Sequence, residues 1–294
     1  LSNTIRFFPD KTGLASGLIT GGMGGAAIIA APIANALIER YGVSQAFWRM
    51  GLAYALVGFF FSLFIRSAPK QIVPQTAATS EKAPTKAITA NKNWKEMLAT
   101  PAFYLLILMF AMGAFSGLMI ASNASLIGQS MFGLSASAAA AYVSLYSLSN
   151  TSGRVFWGAV SDRIGQIRAV IIIYSAIIFA FVLLVSVNQV WAFAVGIVTL
   201  GLCFGGVMGV FPGLVMDNFG PANQGVNYGI VFIGFSSAAF VAPKVTASLA
   251  AANNGDFTKA FYVAIAVVLI GLGLSLVYAK RKADAVEAAV ETIQ

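Results

Sequence analysis

Eight stretches of the chain, near residues 13–38, 46–66, 102–122, 136–158, 167–188, 190–212, 225–250 and 259–279, are long, apolar and almost free of charge. A helix needs about 20 such residues to cross the hydrocarbon core of a bilayer. Within that core each backbone N–H and C=O must be satisfied inside the segment itself, which makes helices the solution for runs of this length. Charged residues make up only 10% of the 294, and mean hydropathy is +0.83. A soluble domain carries about 25% charged residues, so water cannot be the principal solvent. The chain is therefore expected to be an all-α, polytopic membrane protein with the lipid bilayer as its surroundings.

The charges between the spans alternate in sign density. Thirteen of the eighteen Lys and Arg fall on one side, including Arg6, Lys11, Arg66, Arg163, Arg168 and Lys280 to Lys282. The other side holds Arg40, Arg49, Lys244 and Lys259, which leaves Arg154 inside a span. The positive-inside rule makes the richer side cytoplasmic, with both ends of the chain there. A bacterial inner membrane is the expected location. The same reading explains the +8 net charge, and no nucleic-acid partner is expected. Four regions follow: 1–66 with two spans, a cytoplasmic linker at 67–95, a six-helix bundle at 96–279 and a cytoplasmic tail at 280–294. The linker is rich in Ala, Thr, Pro and Lys without apolar periodicity. At its end, Asn93 to Leu98 reads as a short amphipathic helix anchored at the interface by Trp94.

Phe7-x-Pro9-x-x-x-Gly13-x-x-x-Gly17 recurs as Phe219-x-Pro221-x-x-x-Gly225-x-x-x-Gly229. Each copy then runs into an apolar helix carrying Ala-Pro, at Ala31-Pro32 and Ala242-Pro243. Small residues four apart let helix backbones approach closely in lipid. Repeated halves of this kind are a common way of building secondary transporters. Because the chain starts at Leu1 and its first copy lacks the helices that precede the second, it reads as opening partway through a longer protein.

Between the fourth and fifth spans lies Gly158-x-x-x-Asp162-Arg163-x-Gly165-x-x-Arg168. This resembles the loop signature of the major facilitator superfamily. Asp162 could cap the next helix or pair with an Arg of a partner helix, and Gly158 and Gly165 would permit a tight turn. Within the superfamily, four stretches are similar to the oxalate/formate antiporter branch, a relative of the monocarboxylate transporters. They are Asn3 to Gly17, Trp94 to Tyr104, Ser152 to the loop motif, and Phe211 to Gly229. The resemblance implies a fold of twelve helices in two bundles, of which about eight are present here. It also implies that Arg154 is the anion ligand, a role that suits the bidentate fork of a guanidinium. Charge inside a span is a functional hypothesis in any case; the bland reading is an Arg that snorkels to the interface and pairs with Asp162.

Two departures bear on the substrate. Oxalate-transporting relatives place a Lys where this chain has Phe235, and proton-coupled relatives place an Asp where it has Asn150. A single cation suits a monocarboxylate such as formate, lactate or pyruvate, moved by exchange or uniport. Tyr146, Phe204, Phe232 and Phe235 are candidates to line an apolar cavity beside Arg154, with Asn150 as polar lining. The expected mechanism is alternating access, the Asp162 loop biasing one closed state. A membrane sensor of the same fold, or an exporter of amphipathic drugs, are the alternatives. With no His, one Cys (Cys203) and no phosphate loop, neither metal, cofactor nor enzyme activity is expected, and a monomer is assumed.

Overall fold

The computed structural model describes residues 1–66, 68 and 91–291, so most of the expected linker lies outside the described residues. Those residues are helical throughout, apart from short connections. Helix α1 (Ser2–Phe7) leads through a 3-10 turn into α2 (Thr12–Ser62), a 51-residue helix broken at Gly42, where φ of 77° and ψ of 165° reverse the chain. Its two arms, 12–41 and 43–62, correspond to the first two expected spans. They fold back as a hairpin whose facing residues include Ala26, Ile29, Met50 and Ala53. Asn3 closes the hairpin, donating to the Arg66 carbonyl at 2.8 Å and accepting from the Ala68 N–H at 2.8 Å.

The short helix α3 (Trp94–Leu98) lies where the sequence placed it, its start fixed by a reciprocal capping box between Asn93 and Glu96. Six helices follow: α4 (Pro101–Phe132), α5 (Ala136–Ile164), α6 (Gln166–Ser186), α7 (Val190–Phe219), α8 (Gln224–Ala251) and α9 (Thr258–Glu291). Five of these, all but α5, are long and apolar enough to cross a membrane. Helix α5 has the length but breaks its apolar run with Ser147, Ser149, Asn150, Thr151, Ser152 and Arg154. Ser147 and Thr151, like Ser144 before them, donate to carbonyls one turn back in their own helix.

Helix α7 is the axle. It packs on α4, α5, α6 and the first arm of α2, and its interior carries Gly201, Gly205, Gly206, Gly209 and Gly213. Lipid tails are as apolar as Leu, so association inside a bilayer rests on close van der Waals contact rather than on escape from solvent. The glycines supply that closeness. Phe110, Phe181, Phe193, Phe211 and Tyr174 fill the space left over, each fully buried. The second arm of α2 is different: only Ala46 is buried in it, while Phe47, Trp48, Phe59 and Phe61 are exposed.

One end of the bundle gathers the basic residues. There Arg6 donates to the carbonyls of Pro221 (3.0 and 2.7 Å) and Ala222 (2.7 Å), in the turn between α7 and α8. The Lys92 N–H donates to the Phe219 carbonyl at 2.9 Å, and the Lys92 carbonyl accepts from the side chains of Asn223 and Asn227. The end of the linker is thus stitched to the second copy of the repeat.

Candidate functional site

Asp162 and Gly165 sit where α5 turns into α6, and the loop between these helices is a single residue. Gly165 has φ of 91°, a left-handed conformation that ordinary side chains resist, and it alone makes the turn. Gly158 does not take part in the turn as expected; it lies inside α5, where a Cβ would overlap the Gly13 carbonyl oxygen of α2. Asp162 does not cap α6. Its two carboxylate oxygens accept from the Gly13 and Leu14 N–H groups, both at 2.8 Å, and so cap the start of α2. The negative charge meets the positive end of that helix, a favourable pairing. Arg163 is exposed beside it. The residues expected to form a loop motif therefore work mainly as a clamp between α5 and α2.

Two to three turns further into α5, Arg154 is 9% exposed. Because α5 continues to Ile164, Arg154 stands about 15 Å from the helix end. Helices α2 and α7 close on it from two sides. A Cβ on Gly17 would overlap its carbonyl oxygen, one on Gly209 would lie 2.6 Å from that same oxygen, and one on Gly205 would reach its backbone nitrogen at 2.8 Å. Gly24 leaves room for the guanidinium itself, since a Cβ there would sit 3.3 Å from Cζ and Nε. Arg154 Nε donates to Asn150 Oδ1 at 3.1 Å, and Nη1 donates to the Thr20 carbonyl at 2.6 Å. Nη2 makes no hydrogen bond among the described residues. Helix α2 thus holds the buried cation by one backbone carbonyl, and Asn150 orients it from the preceding turn. Snorkelling to Asp162 is not what the side chain does here, since that carboxylate is spent on α2.

The aromatic residues singled out from the sequence form one continuous run. Tyr146 stacks on Phe204 (centroids 6.5 Å apart), Phe204 on Phe235 (6.3 Å) and Phe235 on Phe232 (4.7 Å). Tyr146 spends its hydroxyl on the Gly117 carbonyl of α4 at 2.7 Å, so it contributes a ring and no free donor. Two aromatics were missed. Phe110 of α4 packs against Phe232 and Phe235 from behind, and Tyr228 continues the run 5.7 Å beyond Phe232. Positions 228, 232 and 235 follow the i, i+4, i+7 spacing of one helix face, which is the signal that could have found Tyr228. Tyr146 and Tyr228 both lie within electrostatic reach of the Arg154 guanidinium. A buried fork-shaped cation flanked by an amide and an aromatic wall can take a carboxylate, and its apolar surroundings would strengthen the pairing.

Two further cavities lie elsewhere. One of about 470 Å³ is lined by Asn123, Gln129, Ser130 and Ala250 between α4 and α8 at the end away from Asp162. Another of about 380 Å³ opens at the basic end beside Asn218, Tyr278 and Arg281.

Residues 2–243 match the sequence profile of the Major Facilitator Superfamily. An uncharacterised transporter of that type, YhjX of Escherichia coli K12, is 33% identical over 237 residues, which cover 80% of this chain and 57% of the relative. The oxalate:formate antiporter of Oxalobacter formigenes is 28% identical over 272 residues, 92% of this chain and 62% of the relative. The chain thus spans less than two thirds of the length of either.

Proposed function

Because the chain belongs to the major facilitator superfamily, we propose that it carries the anion-binding half of a secondary transporter for small monocarboxylates, with Arg154 as the carboxylate ligand. The protein is an integral membrane protein, and the basic end is its cytoplasmic side by the positive-inside rule. The observation that carries the proposal is the burial of Arg154 with Nη2 unengaged, beside Asn150 and the run from Phe204 to Tyr228. A permanent cation held this way is costly in a membrane, by about 2.5–3.5 kcal/mol on insertion scales, and a ligand with the opposite charge is its simplest use. Exchange between carboxylates also fits the name of the antiporter relative, which handles oxalate and formate.

Among carboxylates, the site favours a monoanion. The relatives that carry oxalate were expected to place a second cation where Phe235 stands, and Phe235 here is stacked between Phe204 and Phe232 with no charge to offer. Transport proceeds by alternating access. The helices of α2 and α5 part to admit the anion, and Asp162 on the α2 N-terminus holds them together in the state described above. The side chain that accepts from Arg154 Nε is Asn150, an amide that cannot take up a proton where a carboxylate would, and this favours exchange or uniport.

The test is ligand-induced stabilisation of the purified protein, expressed from its complete gene. Formate, lactate or pyruvate at a hundred times its Kd should stabilise the fold by about 2.7 kcal/mol, and Arg154→Gln should abolish the effect. Equal stabilisation of Arg154→Gln would assign Arg154 to structure instead, as the tie between α5 and the Thr20 carbonyl that it also makes.

A further inference from the structure

A tyrosine hydroxyl buried in a protein is ordinarily paired, because leaving it dry and unpartnered is unfavourable. Tyr228 breaks that rule: its hydroxyl oxygen is buried and has no hydrogen-bond partner among the described residues. Its ring is held on two sides, 6.2 Å from Phe110 and 5.7 Å from Phe232. The hydroxyl lies within electrostatic reach of Arg154. The other tyrosine near that cation, Tyr146, already donates its O–H to the Gly117 carbonyl. Of the two, only Tyr228 has an O–H to give.

We infer that Tyr228 is a second anion-binding residue, its hydroxyl donating to the same carboxylate that Arg154 holds. This rests on the anion-transport reading above and deepens it. A carboxylate has about four lone-pair sites, which a single guanidinium edge cannot fill. A neutral donor fixed by two rings completes the set without adding charge, and so keeps the preference for a monoanion. The location follows from the register of α8: Tyr228 is one turn before Phe232 on the face that carries the aromatic run. Tyr228 also lies in the helix that begins with the second copy of the repeat, whose turn Arg6 grips. A movement that loosens that grip would carry the hydroxyl with it.

Tyr228→Phe separates this role from a structural one because the two predict opposite signs. Removing an unpaired buried hydroxyl should leave the anion-free protein as stable as the parent or more so. Removing a hydrogen bond to a charged ligand should raise the KM for monocarboxylate exchange about tenfold or more, and weaken anion-induced stabilisation in step. Both are read on the protein from its complete gene, in proteoliposomes and in detergent, with Arg154→Gln in parallel. If Tyr228→Phe exchanges formate and lactate with the parent's KM while Arg154→Gln does not, the role of Tyr228 is overturned and the transport reading stands. If no carboxylate is exchanged or bound by the parent, both fall together. A lower stability of Tyr228→Phe without anion, at unchanged KM, would mark the hydroxyl as structural.

Discussion

Arg154 can be buried because glycine lets two helices touch its backbone. Gly17 from α2 and Gly205 and Gly209 from α7 meet the α5 main chain where any side chain would collide with it. Gly205→Ala or Gly17→Ala should therefore lower stability by about 1–3 kcal/mol, as overpacking does. Gly273→Ala in α9, where a Cβ meets nothing within 4 Å, should be neutral or gain up to about 1 kcal/mol from helix propensity. Thermal unfolding in detergent, compared across the three variants, distinguishes these outcomes. The tight helix contact of Gly13 and Gly17 was legible from spacing alone. Their partner was not, because the contact joins residues more than a hundred positions apart. The same limit explains Gly158 and Asp162. Read locally, both belong to a turn; in three dimensions both face α2. Tyr146 could be placed on the site's helix from sequence, but not the carbonyl in α4 that occupies its hydroxyl.

At the level of elements, apolar length and polar gaps located the helices, from the two arms of α2 on either side of Gly42 to the short helix α3. They said less about where helices end, since α5 runs to Ile164 and α9 continues through its charged segment to Glu291. Membrane thickness bounds the apolar part of a helix and leaves its soluble extension free. The α2–α5 clamp is the element most open to test. Asp162→Asn removes the charge from the α2 N-terminus and should weaken the junction by about 1–2 kcal/mol. In a Cys203→Ala background, a cysteine introduced at Ser16, fully buried here, should then be labelled several-fold faster from the side of the basic end. Unchanged labelling would show that the glycine contacts alone hold the two helices. At the opposite end, Asp256 caps the entry to α9, and its carboxyl is held below the ordinary carboxylate range chiefly by the Thr258 hydroxyl and then by the Thr258 N–H. A lowered folded pKa favours the fold above the unfolded value, and that help fades as pH falls through the folded one. Asp256→Asn should accordingly flatten the acid side of the stability profile and leave neutral pH little changed, as thermal melts across pH would record.

Seen whole, the molecule has a basic end tied shut and a middle built around one cation. Asp162 holds α2 to α5, Arg6 holds α1 to the turn before α8, and Lys92 fastens the linker to that turn. Each tie uses backbone groups at a helix end, so each can be exchanged for water when the helices separate. Between these ties and the aromatic run, Arg154 is the group whose charge has no carboxylate partner among its hydrogen bonds. The partner proposed for this charge is a monocarboxylate. That pairing is tested most directly by counterflow of labelled formate, lactate, pyruvate and oxalate in proteoliposomes, with the protein from its complete gene and Arg154→Gln alongside. Saturable exchange of at least one monocarboxylate, weaker exchange of oxalate, and loss of both in the mutant are expected. Exchange that survives in Arg154→Gln, or the absence of any carboxylate exchange in the parent, would contradict that pairing.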